Sequence, residues 1–418
     1  MIALLLAAAL ATATPTPAWS PDLGDPVLRD LLARAEAGSL DVGMAVARLE
    51  KAGADVDLAR AGQKPHLTVG LDAATGGADF SSAQKGVGVP AAASYEVDVF
   101  GRLKASVRAA RADQDAAQAD LVAARQLVLA ETAKTYVDLR AAQARRASAT
   151  AALDGARRRE ALMLRRHDEG DAIGAQLTVA RRDTANATAE LSAARYAVEA
   201  ARIRLGELSG LDAPIDDPPS GGVPVTPNLA NLPSEAVLAR PDIQAAKARL
   251  EAADARRAEA VAASRPHFTL TAALGSGEPD LLYLLDVRAL AWSIVGGLTH
   301  EVFDGGAGKA RKRGAAAEAQ IAELAYRKAV GSAWAQARLG LGALDQAASA
   351  EGLARDALTD AEQARRQGEV RHQQGDIDGA ELARLESDEA AARSALAQAS
   401  AVRARAFLDL SLALGGRT

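Results

Sequence analysis

The sequence predicts a mainly helical chain with a minority of membrane β-strands, built as two copies of one plan. Three observations predict it. Four segments recur in order, about 205 residues apart. QKPHLTVGL (63–71) returns as SRPHFTLTA (264–272), and YEVDVFGRLKA (95–105) as THEVFDGGAGKA (299–310). HDEGDAIGAQLTVARRDTA (167–185) returns as HQQGDIDGAELARLESDEA (372–390), and LGELSG (205–210) as LSLALGG (410–416). Next, no proline interrupts the chain from Leu103 to Leu208. Finally, apolar and polar residues alternate before each of these long stretches.

Composition narrows the class. Lys and Arg number 49 against 54 Asp and Glu, a net charge of -5, which gives no sign of a nucleic-acid binder. Aromatics make up 3%, few for a globular core of this size, and alanine instead suits closely packed helices. The absence of cysteine excludes disulfides, thiolate metal sites and cysteine nucleophiles.

The elements follow in order. Ile2 to Ala11 is a short apolar run with small residues after it, and 1–20 is expected to be an export signal. Candidate cleavage sites are Ala11-Thr12-Ala13 and Thr16-Pro17-Ala18, although no Lys or Arg precedes the run. Residues 21–62 carry helical apolar spacing. Over 63–102, Leu67, Val69, Leu71 and Ala73 alternate with Thr68, Gly70 and Asp72. Val87, Val89, Ala91, Ala93, Tyr95, Val97 and Val99 then oppose Gly88, Ser94, Glu96 and Asp98, interrupted at Pro90. This period of two lasts about the 9–11 residues that a membrane-spanning strand needs.

Residues 103–210 predict a helical hairpin. Its seam is expected at Val107, Ala110, Gln114, Ala117, Leu121, Ala124 and Val128, with Ala117 and Ala124 at close approaches. A helix from 103 to about 167 would be roughly 100 Å long, and the chain turns at Gly170. Residues 211–240 form a Pro-rich linker. The second repeat then gives a helix over 241–263, strands over 264–304 and a hairpin over 305–418 that turns at Gly375. In its strands Phe268, Leu270, Ala272 and Leu274 oppose His267, Thr269 and Thr271. Trp292, Ile294, Leu298 and Val302 oppose Ser293, Thr299 and Glu301.

Four amphipathic strands cannot close a barrel, and an open edge in lipid strands backbone groups at several kcal/mol each. The strands must therefore close by oligomerisation, and the hairpins must form a tube of their own. That predicts a homo-oligomeric conduit, with a membrane barrel at one end and a helical barrel at the other.

Several segments carry a family resemblance. RPDIQAAKARLEAADAR (240–256), SYEVDVFGRLKASVRAARA (94–112), WSIVGGLTHEVFDGG (292–306), HQQGDIDGAELARLESDEAAARSAL (372–396) and LSLALGG resemble the TolC-like outer-membrane efflux proteins. They are most similar to the branch serving resistance-nodulation-division pumps. The resemblance covers residues 22–416 and implies a trimer with a shared twelve-stranded barrel in the outer membrane. It implies an α-helical barrel crossing the periplasm and a mixed equatorial belt formed by 21–62, the linker and the C-terminal end. The implied function is a passive exit duct for drugs or other small toxic compounds. Its implied partners are a periplasmic membrane-fusion adaptor, an inner-membrane pump and outer-membrane lipid, with no nucleic acid. Many relatives are lipoproteins acylated on a cysteine, which this sequence lacks.

The turn tips are the candidate site. Gly170 and Gly375 are each expected at a positive φ, and the resemblance implies that adaptor hairpins dock there, beside Asp171, Asp376 and Asp378. The resemblance also implies an entrance constriction after the second turn, at Glu381 and Arg384. Repeated by threefold symmetry, Asp376, Asp378 and Glu381 would form an acidic rim. Arg384 would partly neutralise it and pair with a carboxylate across a subunit boundary.

Catalytic and cofactor readings are weak. GGAGK (305–309) has Phe303 where a phosphate loop needs glycine, and Ala310 where it needs Ser or Thr. His66 and His267, like His167 and His372, sit at matching repeat positions, which reads as inheritance more than as metal binding or proton sensing. No G-x-S-x-G or Ser-His-Asp set is present, and Glu96 with Asp98 reads as a wetted wall. No enzyme, cofactor or metal is expected. The alternative is a periplasmic coiled-coil scaffold or adaptor without transport activity, which would not need the four alternating segments.

Overall fold

The computed structural model describes residues 23–76, 84–88, 90–219, 221–224, 234–275, 277–278 and 291–416. The expected signal segment 1–20 and its cleavage sites lie outside these residues, as does part of the linker.

Two helices open the described chain. α1 (Pro26–Gly38) begins at Asp25, whose carboxylate accepts from the amides of Val27 at 2.8 Å and Leu28 at 3.4 Å. Pro26 costs nothing there, because the first helical N–H has no partner in any case. Leu28, Leu31, Leu32 and Ala35 form its buried stripe. α2 (Leu40–Ala61) follows.

The strands are β1 (His66–Val69), β2 (Asp72–Gly76), β3 (Gln84–Gly88), β4 (Ala91–Val97), β5 (His267–Gly275), β6 (Gly277–Glu278) and β7 (Ala291–Thr299). They form two antiparallel sheets, ordered β1-β4-β5-β7 and β2-β3-β6. Pro90 separates β3 from β4. It has no N–H for the ladder, and its carbonyl accepts from the Gly70 amide at 2.9 Å. β7 ends at Thr299 and does not run on to Val302. Past it, Gly305 and Gly306 take φ of 64° and 93°, and the Asp304 carboxylate accepts from the amides of Gly306 and Gly308. That carboxylate starts a helix, so the extended backbone has to stop before it.

The helical half repeats itself closely. α3 (Arg102–Asp168) and α7 (Ala307–Gln373) each span 67 residues. α4 (Gly174–Leu208) and α8 (Gly379–Ala413) each span 35. Between the copies lie α5 (Ser234–Leu238) and α6 (Pro241–Ala262). At 1.5 Å per residue α3 and α7 are each about 100 Å long. Both hairpins end on glycines in the left-handed region: Gly210 at φ 67° and Gly415 at 69°. A Cβ on Gly210 would lie 2.1 Å from the Gly38 carbonyl oxygen, so only glycine fits there.

The chain divides into two compact units. One contains residues up to Ala45 with Leu121–Pro241 and Val330–Thr418; the other contains Val46–Asp120 and Asp242–Ala329. In the second unit the start of α3 packs against α6. Ala105, Ala109, Ala112 and Ala116 are buried at spacings of four, three and four, and Ala248, Ala252 and Ala255 are buried on α6. Arg249 pairs with Asp120 and Arg256 with Asp113, so the ion pairs flank the alanine seam one heptad apart. This contact sets the seam of α3. Val107, Leu121 and Val128 are buried as expected, but Ala110, Gln114, Ala117 and Ala124 are only half-buried. The buried alanine falls one residue earlier than expected, on Ala116.

Candidate functional site

The four-stranded sheet gathers its large apolar side chains on one face. The register sets Val69, Ala91, Leu274 and Trp292 in one cross-strand row, and Leu67, Ala93, Ala272 and Ile294 in the next. Tyr95 with Leu270, then Val97, Phe268 and Leu298, extend the same face. Leu67, Val69, Phe268, Leu270, Leu274, Ile294 and Leu298 are exposed, and Trp292 is 76% exposed. The other face carries His66, Thr68, Ser94, Glu96, Thr269 and Thr271, with Val295 among them; Thr269 and Thr271 are half-buried, while His66, Thr68, Ser94 and Val295 are exposed. A water-soluble sheet with one covered face shows the reverse pattern. Here the large apolar side chains of one face are exposed, as a lipid-facing wall requires. β1 and β7 lie at the two sheet edges.

The tips share one construction. At the first, the Asp171 amide reaches the Arg166 carbonyl at 2.7 Å and the Gly170 amide reaches His167 at 3.1 Å. At the second, Asp376 reaches Arg371 at 2.8 Å and Gly375 reaches His372 at 3.1 Å. This pairing closes a helix on a left-handed residue, and Gly170 and Gly375 have φ of 84° and 83°. The matched histidines complete the turn. Nδ1 of His167 donates to the Ala172 carbonyl at 3.1 Å, and that of His372 to Ile377 at 3.0 Å. Repeat inheritance thus has a physical content: both rings hold a turn.

Charge then joins the tips. Asp378 caps α8 by accepting from the Glu381 amide at 2.9 Å, and its second oxygen takes Arg166 of the first tip at 2.9 Å. The amide and the guanidinium hold its carboxyl below the ordinary value. Asp376 lies 3.9 Å from Arg371. Arg384 pairs with Glu381 at 2.7 Å and with Asp388 at 2.8 Å. Its hydrogen bonds hold Glu381 below the ordinary carboxylate value. Within the chain, Arg384 has two carboxylates on its own helix, because spacings of three and four place them side by side. Asp171 is exposed, and its backbone amide helps to close the turn.

Two polar constructions were not anticipated. Tyr136 is fully buried, donates to Asp25 at 2.6 Å and accepts from Nε of Arg140 at 2.8 Å. Burial, and then the bond to Asp25, pushes the Tyr136 hydroxyl pKa up. Arg140 also reaches the Pro219 carbonyl, and Gln143 bonds Asp217 at 2.8 Å and the Pro218 carbonyl at 2.9 Å. This network ties the first helix and the linker to α3. The second construction is Arg240, buried, which donates to the Ala413 carbonyl at 3.1 Å and to Gln336 at 2.9 Å. It explains the start of the RPDI segment: the arginine fastens the end of α8, and the proline begins α6. A buried Tyr and Arg four residues apart on an alanine-rich helix were the only sequence signal. In the GGAGK segment, the Asp304 carboxylate holds the amides that a phosphate would need.

Comparison with known proteins agrees with this geometry. The profile of the outer membrane efflux protein family matches residues 31–211 and 232–416. The pyoverdine export outer membrane protein OpmQ of Pseudomonas aeruginosa is 29% identical, over 98% of this chain and 90% of the relative. Outer membrane protein OprJ of the same species is 29% identical, over 95% and 86%. The open state of the MtrE outer membrane channel of Neisseria gonorrhoeae superposes with a TM-score of 0.82 at 28% identity, covering 93% of this chain and 89% of that one. The chain belongs to the outer membrane efflux protein family and is an outer-membrane efflux channel.

Proposed function

We propose that three copies of this chain close a twelve-stranded barrel and a helical tube, giving the passive exit duct of a tripartite pump. The outward apolar face of the β1-β4-β5-β7 sheet carries this reading. Lipid cannot hydrogen-bond the two sheet edges, so a neighbour's strand has to. Four strands from each of three chains make a closed even-stranded barrel. The helices extend into the periplasm. Residues 21–62, the linker 211–240 and the C-terminal end form an equatorial belt. The partners are a periplasmic membrane-fusion adaptor and an inner-membrane pump of the resistance-nodulation-division type. The cargo is a small toxic compound selected by the pump, and no chemical step occurs in the duct.

The tips Gly170, Asp171, Gly375, Asp376 and Asp378 receive the adaptor hairpins. Glu381 and Arg384 line the constriction above them, where a carboxylate favours cations and the guanidinium limits that preference. The test is deletion of the gene, followed by a screen of toxic compounds and pull-down of partners. Hypersensitivity reversed by the wild-type gene, with co-purification of an adaptor, is expected. A deletion strain with unchanged tolerance to every compound and no adaptor in the pull-down overturns the reading.

A further inference from the structure

The four helices of the two hairpins stand in a row. α4 packs on α3 through Leu191 and Ala194 against Ala149 and Leu153. α3 joins α8 through the ion pairs of Lys134 with Asp409 and Arg158 with Glu386. α8 joins α7 through Arg403 and Glu351, and a Cβ on Gly340 of α7 would lie 3.3 Å from Leu410. The row therefore ends on α4 at one side and on α7 at the other. Each end helix carries a heptad stripe away from its own neighbour. On α7, Ala335, Leu339, Gly342, Gln346, Ser349 and Leu353 follow at spacings of four and three, and all six are exposed. On α4, Ala189, Ala193, Tyr196, Ala200 and Ile203 keep the same spacing, and Tyr196 is 76% exposed. That is the spacing by which two helices pack along their length.

The two stripes match in height. The repeat sets Arg102 of α3 against Ala307 of α7, and Gly174 of α4 against Gly379 of α8. On that correspondence Lys134 answers to Leu339, and Asp409 to Arg204. Lys134 reaches Asp409, and Gly340 faces Leu410, so Leu339 and Gly340 stand level with the last turn of α4. Ile203 is then level with Gly342. The helices run in opposite directions, so one heptad on Tyr196 is level with Ser349, and Leu353 falls between Ala189 and Ala193. Each large side chain of one stripe thus meets a small one of the other. Glu207, the next position of the α4 stripe, is level with Arg338, which forms no ion pair among the described residues.

We propose that α4 of one copy lies antiparallel on α7 of the next, with Ile203 seated at Gly342, Tyr196 at Ser349 and Glu207 beside Arg338. The proposal rests on the reading that three copies close a helical tube. Rotation about an axis along the helices preserves height, so levels found within one chain hold between copies. A second copy fits both stripes at once, in size and in charge.

The test uses the full chain purified as its oligomer. It contains no cysteine, so introduced pairs report alone. A disulfide forms only where two Cα atoms come within about 7 Å. After oxidation with copper phenanthroline, I203C/G342C and Y196C/S349C are each expected to shift the monomer band on boiled, non-reducing gels to a covalent trimer. The single variants are expected to leave it in place. I203C/S349C, out of register by one heptad or about 10 Å, is expected to stay monomeric. Matched pairs that remain unlinked overturn the proposal, and so does a mismatched pair that links to the same extent. Should the paired variants fail to assemble, Y196C decides alone. Its thiol is expected to react with a maleimide several-fold more slowly in the oligomer than after dissociation, and equal rates overturn the proposal. A wild-type chain that runs as a monomer on unboiled gels overturns the tube itself, whereas an intact oligomer without these links overturns only this inference.

Discussion

At Gly375 the backbone holds φ 83°, and nothing lies within 4 Å of where a Cβ would be. A side chain there meets strain without a clash. Gly375→Val should cost about 1–2 kcal/mol locally, leave the oligomer intact on unboiled gels, and remove adaptor-dependent export. Normal export by that variant places the docking site elsewhere. Arg384 neutralises Glu381 and Asp388 on its own helix. Arg384→Ala leaves two carboxylates unpaired, so single-channel conductance and cation selectivity in planar bilayers should rise; wild-type values would remove the residue from the constriction. The same groups set a pH dependence. Asp378 is held down by the Glu381 amide and Arg166, and Glu381 by Arg384. A depressed carboxylate contributes stability above its unfolded pKa of about 4 and loses it as the pH falls through the lower folded value. Conductance should therefore be steady across neutral pH and change only below about pH 4. A transition in the neutral range would overturn the assignment to these two carboxylates. The positive φ at both tips was legible, because a lone glycine after a long helical run has one usual purpose. The pairing of Arg384 with Glu381 and Asp388 on its own helix was not, because spacing alone does not choose among nearby carboxylates.

At the scale of the element, alternation reported which strand face is apolar, and the structure adds that the large apolar side chains on it are exposed. Leu270→Arg should cost about 2–4 kcal/mol if the residue lies near the bilayer midplane, and should lower the amount of assembled protein in the outer membrane. Thr269→Arg, on the opposite and half-buried face, should be tolerated. Equal yields from the two variants would sink the assignment of faces. The helical seam was legible only in part. A heptad count gave the right face of α3 at Val107, Leu121 and Val128 but missed the row through Ala105, Ala109, Ala112 and Ala116. Alanine is so common on this helix that the pattern alone leaves the seam free to rotate by one residue, and packing against α6 decides it. The equal lengths of α3 and α7, and of α4 and α8, follow directly from the repeated turn and end segments.

For the whole molecule, the exposed apolar side chains on the long helices need an explanation. Leu339 and Leu353 on α7 are 74% and 72% exposed, and Tyr196 on α4 is exposed too. Single exposed leucines are ordinary; several on helices whose sheet must also find partners fit a surface that other copies cover. Leu353→Asp should weaken the oligomer, seen as loss of the heat-sensitive band on unboiled gels, with little effect on the helix content of the chain. An unchanged band would show that this stretch of α7 faces water in the assembly. The sequence by itself determined the duplicated plan, the strand faces, the hairpin turns and the family, because each is written in local periodicity or in the order of repeated segments. Only the tertiary structure decided which alanines meet, that Asp378 joins the two tips through Arg166, and that Tyr136, Arg140 and Arg240 fasten the linker and the end of α8. Those contacts join residues up to a few hundred positions apart, and side-chain geometry between distant segments leaves no periodic trace in the chain that makes it.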